Sequence, residues 1–188
     1  MSHAKEPEKV IMVGDCHASV IPSGLPILLV EGTEVMIIQS LGGAYTVQVN
    51  GKWVRIAAED AASLGPDYVT PNVEDSWHDD MTLEQKVWSL LKTCYDPEIP
   101  VDIVELGLIY HVDVQPIEAE TSDASHRAHV VMTLTAPGCG MGPVLIEDIK
   151  QKLHRLSDIK DVVVELVFDP PWTQERMSDA AKLQLGMF

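Results

Sequence analysis

Cys139 sits in the segment Thr133-Leu134-Thr135-Ala136-Pro137-Gly138-Cys139-Gly140-Met141-Gly142-Pro143. The pattern predicts the end of a strand, a glycine-rich loop and the start of a helix. A thiol held there meets free backbone N–H groups and the positive end of a helix dipole, both of which favour thiolate over thiol. Gly138 and Gly140 leave the sulfur without side-chain cover on either side, and Gly142 and Pro143 open the helix. Thr135, four residues before the cysteine, is in a position to donate its hydroxyl to the sulfur. The bland reading is that an unpaired cysteine is a small core residue.

A second dense segment, Asp96-Pro97-Glu98-Ile99 through Val101-Asp102-Ile103-Val104-Glu105, alternates carboxylates with apolar residues. It reads as an Asp-Pro turn with acids facing solvent. Folded over the cysteine loop, it would instead set hard oxygen donors beside a soft thiolate, a mixture suited to weakly held iron or zinc.

Several other chemistries are excluded. There is no G-x-x-x-x-G-K-[ST] sequence, and the glycine spacing is not the dinucleotide fingerprint. No basic residue follows Cys139 until Lys150, so an arginine cradle for a phosphate is missing. A cysteine hydrolase needs an imidazole partner, for which His111 and His129 in the flanking strands are the candidates. His126 and His129 fall on opposite faces of one strand and make a poor chelate. Cys94 falls on the apolar face of a helix and reads as packing. Cys16 and His17, adjacent on a strand, point opposite ways. His78, in an acidic stretch, is a weak metal candidate.

The elements that must position these residues follow from periodicity. Over 10–65 the chain reads as a small β-rich domain, a meander or open barrel. Its strands are expected at Pro26–Val30, Glu34–Gln39, Ala44–Val49 and Trp53–Ile56, with Asn50-Gly51 closing a hairpin. A short helix over Ala57–Leu64 ends at Gly65-Pro66. Residues 66–80 read as a polar linker. Residues 81–188 read as an α+β domain in the order α-β-β-α-β-α. A capping box of Thr82 and Gln85 starts the first helix. Strands are expected at Leu106–Val114, Ala128–Thr135 and Asp161–Phe168, a long polar hairpin loop at Gln115–Arg127, and helices at Pro143–Leu156 and Ser178–Leu185. The tail from Met177 is expected to pack on its own core, with dimerisation as the second reading.

The 188 residues carry a formal charge of −16. Such a polyanion is repelled by phosphate backbones and anionic lipid, so no nucleic-acid or membrane partner is expected. Three scattered cysteines build no disulfide framework and fit a reducing compartment. No secretory signal and no spanning apolar run is visible, so a cytoplasmic protein is expected.

Three ordered segments carry a resemblance: Asp96-Pro97-Glu98-Ile99 through Leu106-Gly107-Leu108-Ile109-Tyr110, then Thr135-x-x-x-Cys139, then Asp169-Pro170-Pro171-Trp172-Thr173. They resemble the three motifs of the SufT/PaaD-type iron–sulfur assembly family over roughly residues 82–188. Val35–Asp60 resembles the amino-terminal extension of its longer members. The resemblance implies a cluster-assembly-type α+β core and a non-enzymatic accessory factor in iron–sulfur maturation. It marks Cys139 as the reactive residue, with Thr135, Asp96 and Glu98 around it. Many relatives carry proline after the cysteine, where this chain has Gly140.

A cluster usually takes four thiolates, and one chain offers a single candidate. The expectation is therefore an adaptor that handles iron or a cluster transiently, with no stably bound cofactor. Assembly machinery and client apoproteins are its expected partners, with a homo-oligomer possible through pooled Cys139 residues. The alternatives are a thiol enzyme using Cys139 with a strand histidine, and a pure interaction module with an inert cysteine.

Overall fold

The structure is a computed structural model describing residues 8–71, 73–96, 99–117, 125–138 and 140–187. It divides into two compact units, Met1–Asn72 and Val73–Phe188.

In the first unit six strands form one antiparallel sheet: β1 (Glu8–Ile11), β2 (Cys16–Ile21), β3 (Pro26–Leu29), β4 (Glu34–Leu41), β5 (Ala44–Val49) and β6 (Lys52–Ile56). The β5–β6 hairpin closes at Asn50 and Gly51, both with positive φ (49° and 75°), with Val49 opposite Lys52. This is the two-residue turn whose twist matches the flanking strands. The sheet order, β1-β4-β5-β6-β2-β3, corrects the simple meander: β4-β5-β6 and β2-β3 follow chain order, but β1 pairs with β4 and β2 with β6. Strands β1 and β2 carry weak sequence signals. β1 buries almost nothing, and β2 contains Cys, His, Ala and Ser, so only its pairing defines it. Val35, Val47, Val54, Ile56 and Leu64 fill the core. The segment after β6 is a 3-10 helix, Ala58–Leu64, rather than an α-helix.

The second unit runs α1 (Leu83–Leu91), β7 (Ile109–Ile117), β8 (Ser125–Met132), α2 (Gly142–His154), β9 (Ile159–Leu166) and α3 (Asp179–Gln184). It is an α+β domain in the expected order. The Thr82 hydroxyl accepts from the Gln85 N–H, and the Gln85 side chain accepts in return from the Thr82 N–H, which fixes the start of α1. β7 pairs antiparallel with β8, and β8 parallel with β9 through the α2 crossover. Val87, Leu90 and Leu91 of α1 and Leu145, Ile149 and Leu153 of α2 bury against Ala128, Val130 and Met132 of β8. Each large side chain fully withdrawn from water contributes about 1.5–3 kcal/mol. The Lys152 ammonium, buried on α2, donates to Asp148 at 3.2 Å and to the Thr93 carbonyl at 2.7 Å, tying α2 to the end of α1. Met177 and Ala181 of the tail are buried in the same core, while Leu183 is exposed.

Within 66–80, Tyr68 packs on the first core, and Val73 and Trp77 on the second. No described helix is long and apolar enough to cross a membrane.

Candidate functional site

Strand direction brings the three motif segments together. Ile109, at the start of β7, lies opposite Met132 at the end of β8, which lies beside Leu166 at the end of β9. The segment before β7, the cysteine loop after β8 and the Asp169–Thr173 segment after β9 therefore all emerge at one end of the sheet. Backbone bonds close that end: Thr133 N–H donates to the Leu108 carbonyl at 2.9 Å, and Val167 N–H to the Met132 carbonyl at 2.8 Å.

The first and third motifs are bound directly to each other. Trp172 Nε1 donates to the Leu106 carbonyl at 2.8 Å, and the Tyr110 hydroxyl to the Pro170 carbonyl at 2.7 Å. Arg176 Nε donates to the Gly107 carbonyl at 3.2 Å, while its guanidinium lies 4.0 Å from the centre of the Tyr110 ring. Ser178 N–H donates to the Glu105 carbonyl at 2.9 Å. The segment from Pro170 to Ser178 is thus a strap across the sheet end. Gly107 is required beneath it: its φ is +69°, and a Cβ there would collide with the Arg176 backbone.

The expected strand from Leu106 begins at Ile109, because Leu106, Gly107 and Leu108 belong to a tight turn. The Asp102 carboxylate organises it, accepting from the N–H groups of Val104 and Glu105 at 3.0 Å each. Burial, chiefly, raises the Asp102 pKa, with the nearby Glu105 adding to it; the two accepted N–H bonds and Lys92 act against the rise. Burial, then the Asp102 carboxylate, also pushes the Tyr95 phenol up. Asp102 was readable as a turn-capping aspartate from its place two and three residues before the N–H groups it caps.

β8 ends at Met132, so Thr135 stands in the turn beyond the strand and is half-buried. Thr133 is fully buried, and its hydroxyl has no partner among the described residues. Gly138 is exposed, with φ +81° and open space around the place of a Cβ; Gly140 is exposed as well. Gly142 serves packing, because a Cβ there would lie 2.9 Å from Leu134 Cδ1. Met141 caps α2 without a side-chain hydrogen bond, Pro143 occupies its first turn, and no acidic residue stands in that turn. The positive end of the α2 dipole therefore has no carboxylate in the helix's own first turn to offset it. Cys139 and Glu98 lie outside the described residues. Asp96 is buried, which departs from the turn with solvent-facing acids, and its carbonyl accepts from Ile99 N–H at 3.2 Å.

Cys94 is fully buried, its thiol directed at the Leu90 carbonyl. Cys16 is buried in the first unit, where burial raises its pKa. His129 lies 3.1 Å from Glu165 across the β8–β9 pair, and His111 is exposed. Among the described residues no three His, Cys, Asp or Glu side chains gather as a metal site.

A family model described as "Iron-sulfur cluster assembly protein" matches residues 84–166. The chain is 39 % identical over 105 residues to the Fe-S protein maturation auxiliary factor YitW of Bacillus subtilis, covering 56 % of this chain and 95 % of that one. It is 42 % identical over 103 residues to a Fe-S protein maturation auxiliary factor of Porphyromonas gingivalis, covering 55 % and 90 %. To the Fe-S protein maturation auxiliary factor SufT of Staphylococcus aureus it is 44 % identical over 92 residues, covering 49 % and 96 %. The matched family region holds the turn, the cysteine loop and the three strands that bring them to one end of the sheet, and this chain belongs to the iron–sulfur cluster assembly protein family.

Proposed function

We propose that the protein is an accessory factor in iron–sulfur protein maturation, working in the cytoplasm as an adaptor that carries iron or a cluster briefly on Cys139. The observation that supports this most is the convergence of three loops at one sheet end, beside a helix whose own first turn carries no acidic residue. An anionic thiolate is stabilised by such a field. Thr135, Asp96 and Glu98 are its proposed neighbours. One thiolate per chain is an open, incomplete ligand set, so cargo leaves when a client offers the full set. The strongly acidic surface steers the carrier toward basic faces of the assembly machinery and of client apoproteins.

A thiol enzyme using His129 finds less support, because His129 lies within β8, paired with Asp113 and Val163, three residues before the strand ends at Met132. Anaerobic reconstitution with iron and sulfide tests the carrier reading. The wild type is expected to gain visible absorption and a mass increment under native conditions, and folded Cys139→Ser neither. Equal loading of the two proteins would overturn the role of the thiol.

A further inference from the structure

We propose that the open edge of β3 is a self-association surface, at which two copies of this chain pair their β3 strands antiparallel about a two-fold axis near Leu28. The proposal rests on the first unit alone and is independent of cargo handling at Cys139.

β3 is the last strand of its sheet, paired with β2 on one side only. Val20 N–H donates to the Leu25 carbonyl at 2.8 Å, and the register runs on through Ala18–Ile27 and Cys16–Leu29. In an antiparallel ladder, hydrogen-bonded and non-bonded pairs alternate. The backbone groups of Ile27 and Leu29 therefore face β2, and those of Pro26 and Leu28 face outward. Pro26, which has no N–H to offer, falls where a missing donor disturbs no internal bond. Leu28 presents both its N–H and its carbonyl to the open edge.

The side chains make this edge apolar. Leu25, Leu28 and Val30 are 63 %, 52 % and 49 % exposed. A groove also runs from this strand, at Ile27 to Val30, to the turn of the β5–β6 hairpin at Val49, Asn50 and Lys52.

Charge selects the occupant. From Cys16 to Val30 the sequence carries no Asp, Glu, Lys or Arg, in a chain whose net charge is −16. Two copies repel one another over most of their surface, and this uncharged stretch lets them meet without opposing like charges. Edge strands are normally guarded by charged side chains or proline; β3 carries no charge, and its one proline, Pro26, stands at its start and leaves the N–H and carbonyl of Leu28 open. A strand pairing with its own copy about a two-fold needs no further complementarity, because each donor finds its symmetry-related acceptor.

Sedimentation velocity on the full chain at micromolar concentration tests the proposal. The wild type is expected to sediment as a dimer. Leu28→Lys sets two like charges at the axis and is expected to weaken the dimer by about tenfold or more. Leu28→Glu is expected to do the same, and added salt to restore part of the association of either variant by screening. Leu183→Lys, on an exposed residue of the other unit, is expected to remain dimeric. Circular dichroism identifies the variants that keep the fold. A monomeric wild type overturns the proposal, as does a dimer that a folded Leu28→Lys or Leu28→Glu variant leaves intact.

Discussion

At the scale of single residues, Gly107 and Asp102 shape the sheet end that the cysteine loop leaves. Gly107 has a left-handed backbone and a neighbour, Arg176, too close to admit a methyl group. Gly107→Ala is expected to cost about 3 kcal/mol or more, since backbone strain and a backbone collision act together. A shift of the urea midpoint below about 1 kcal/mol would show that the strap yields easily. Asp102 holds its proton more tightly folded than unfolded, chiefly because it is buried. The folded state then binds more protons than the unfolded state in the window just above the ordinary aspartate pKa, so this group's contribution to stability falls as pH rises through that window. Asp102→Asn keeps an oxygen acceptor for the turn and cannot titrate. The difference in unfolding midpoint between wild type and variant, followed from acid to neutral pH, is expected to move in the variant's favour. A difference independent of pH would contradict the burial effect.

At the scale of elements, the strap after β9 is what ties the motif segments into one structure. Its anchors are side chains reaching main-chain carbonyls: Trp172 to Leu106 and Arg176 to Gly107. Trp172→Phe keeps most of the ring packing but removes the donor from a carbonyl in a fully buried residue. The expected loss is about 1–3 kcal/mol, with the denaturant slope unchanged. Unchanged stability would mean that water replaces the indole N–H. In this chain the segment from Asp169 to Thr173 serves that tie: Trp172 donates to the Leu106 carbonyl, and the Pro170 carbonyl accepts from the Tyr110 hydroxyl.

At the scale of the whole molecule, the two hydrophobic cores share no residue. Each unit fills its own interior, as an independent domain does. The fragment 73–188 is therefore expected to fold alone with a cooperative thermal transition, and the family match at residues 84–166 lies wholly inside it. A disordered far-ultraviolet spectrum for the fragment would show that its stability depends on the first unit.

Local signals settled much of this protein. The Thr82–Gln85 capping box, the Asn50-Gly51 hairpin and the apolar stripe of α2 depend on neighbours within a few residues, and each is found where periodicity and side-chain chemistry set it. The three motifs were legible as words in the chain, and so was the helix start after the cysteine. Tertiary structure alone decided the rest. β2 becomes a strand by pairing with β6, some thirty residues away by chain, and its mixed composition gives no hint of that. The strand expected from Leu106 starts three residues late, at Ile109, because a strap whose Arg176 lies 69 residues beyond Gly107 holds that glycine in the preceding turn. Side-chain periodicity records which face of an element is buried. It does not record which element arrives to bury it, and the sheet end where three loops meet is a product of that second, non-local choice.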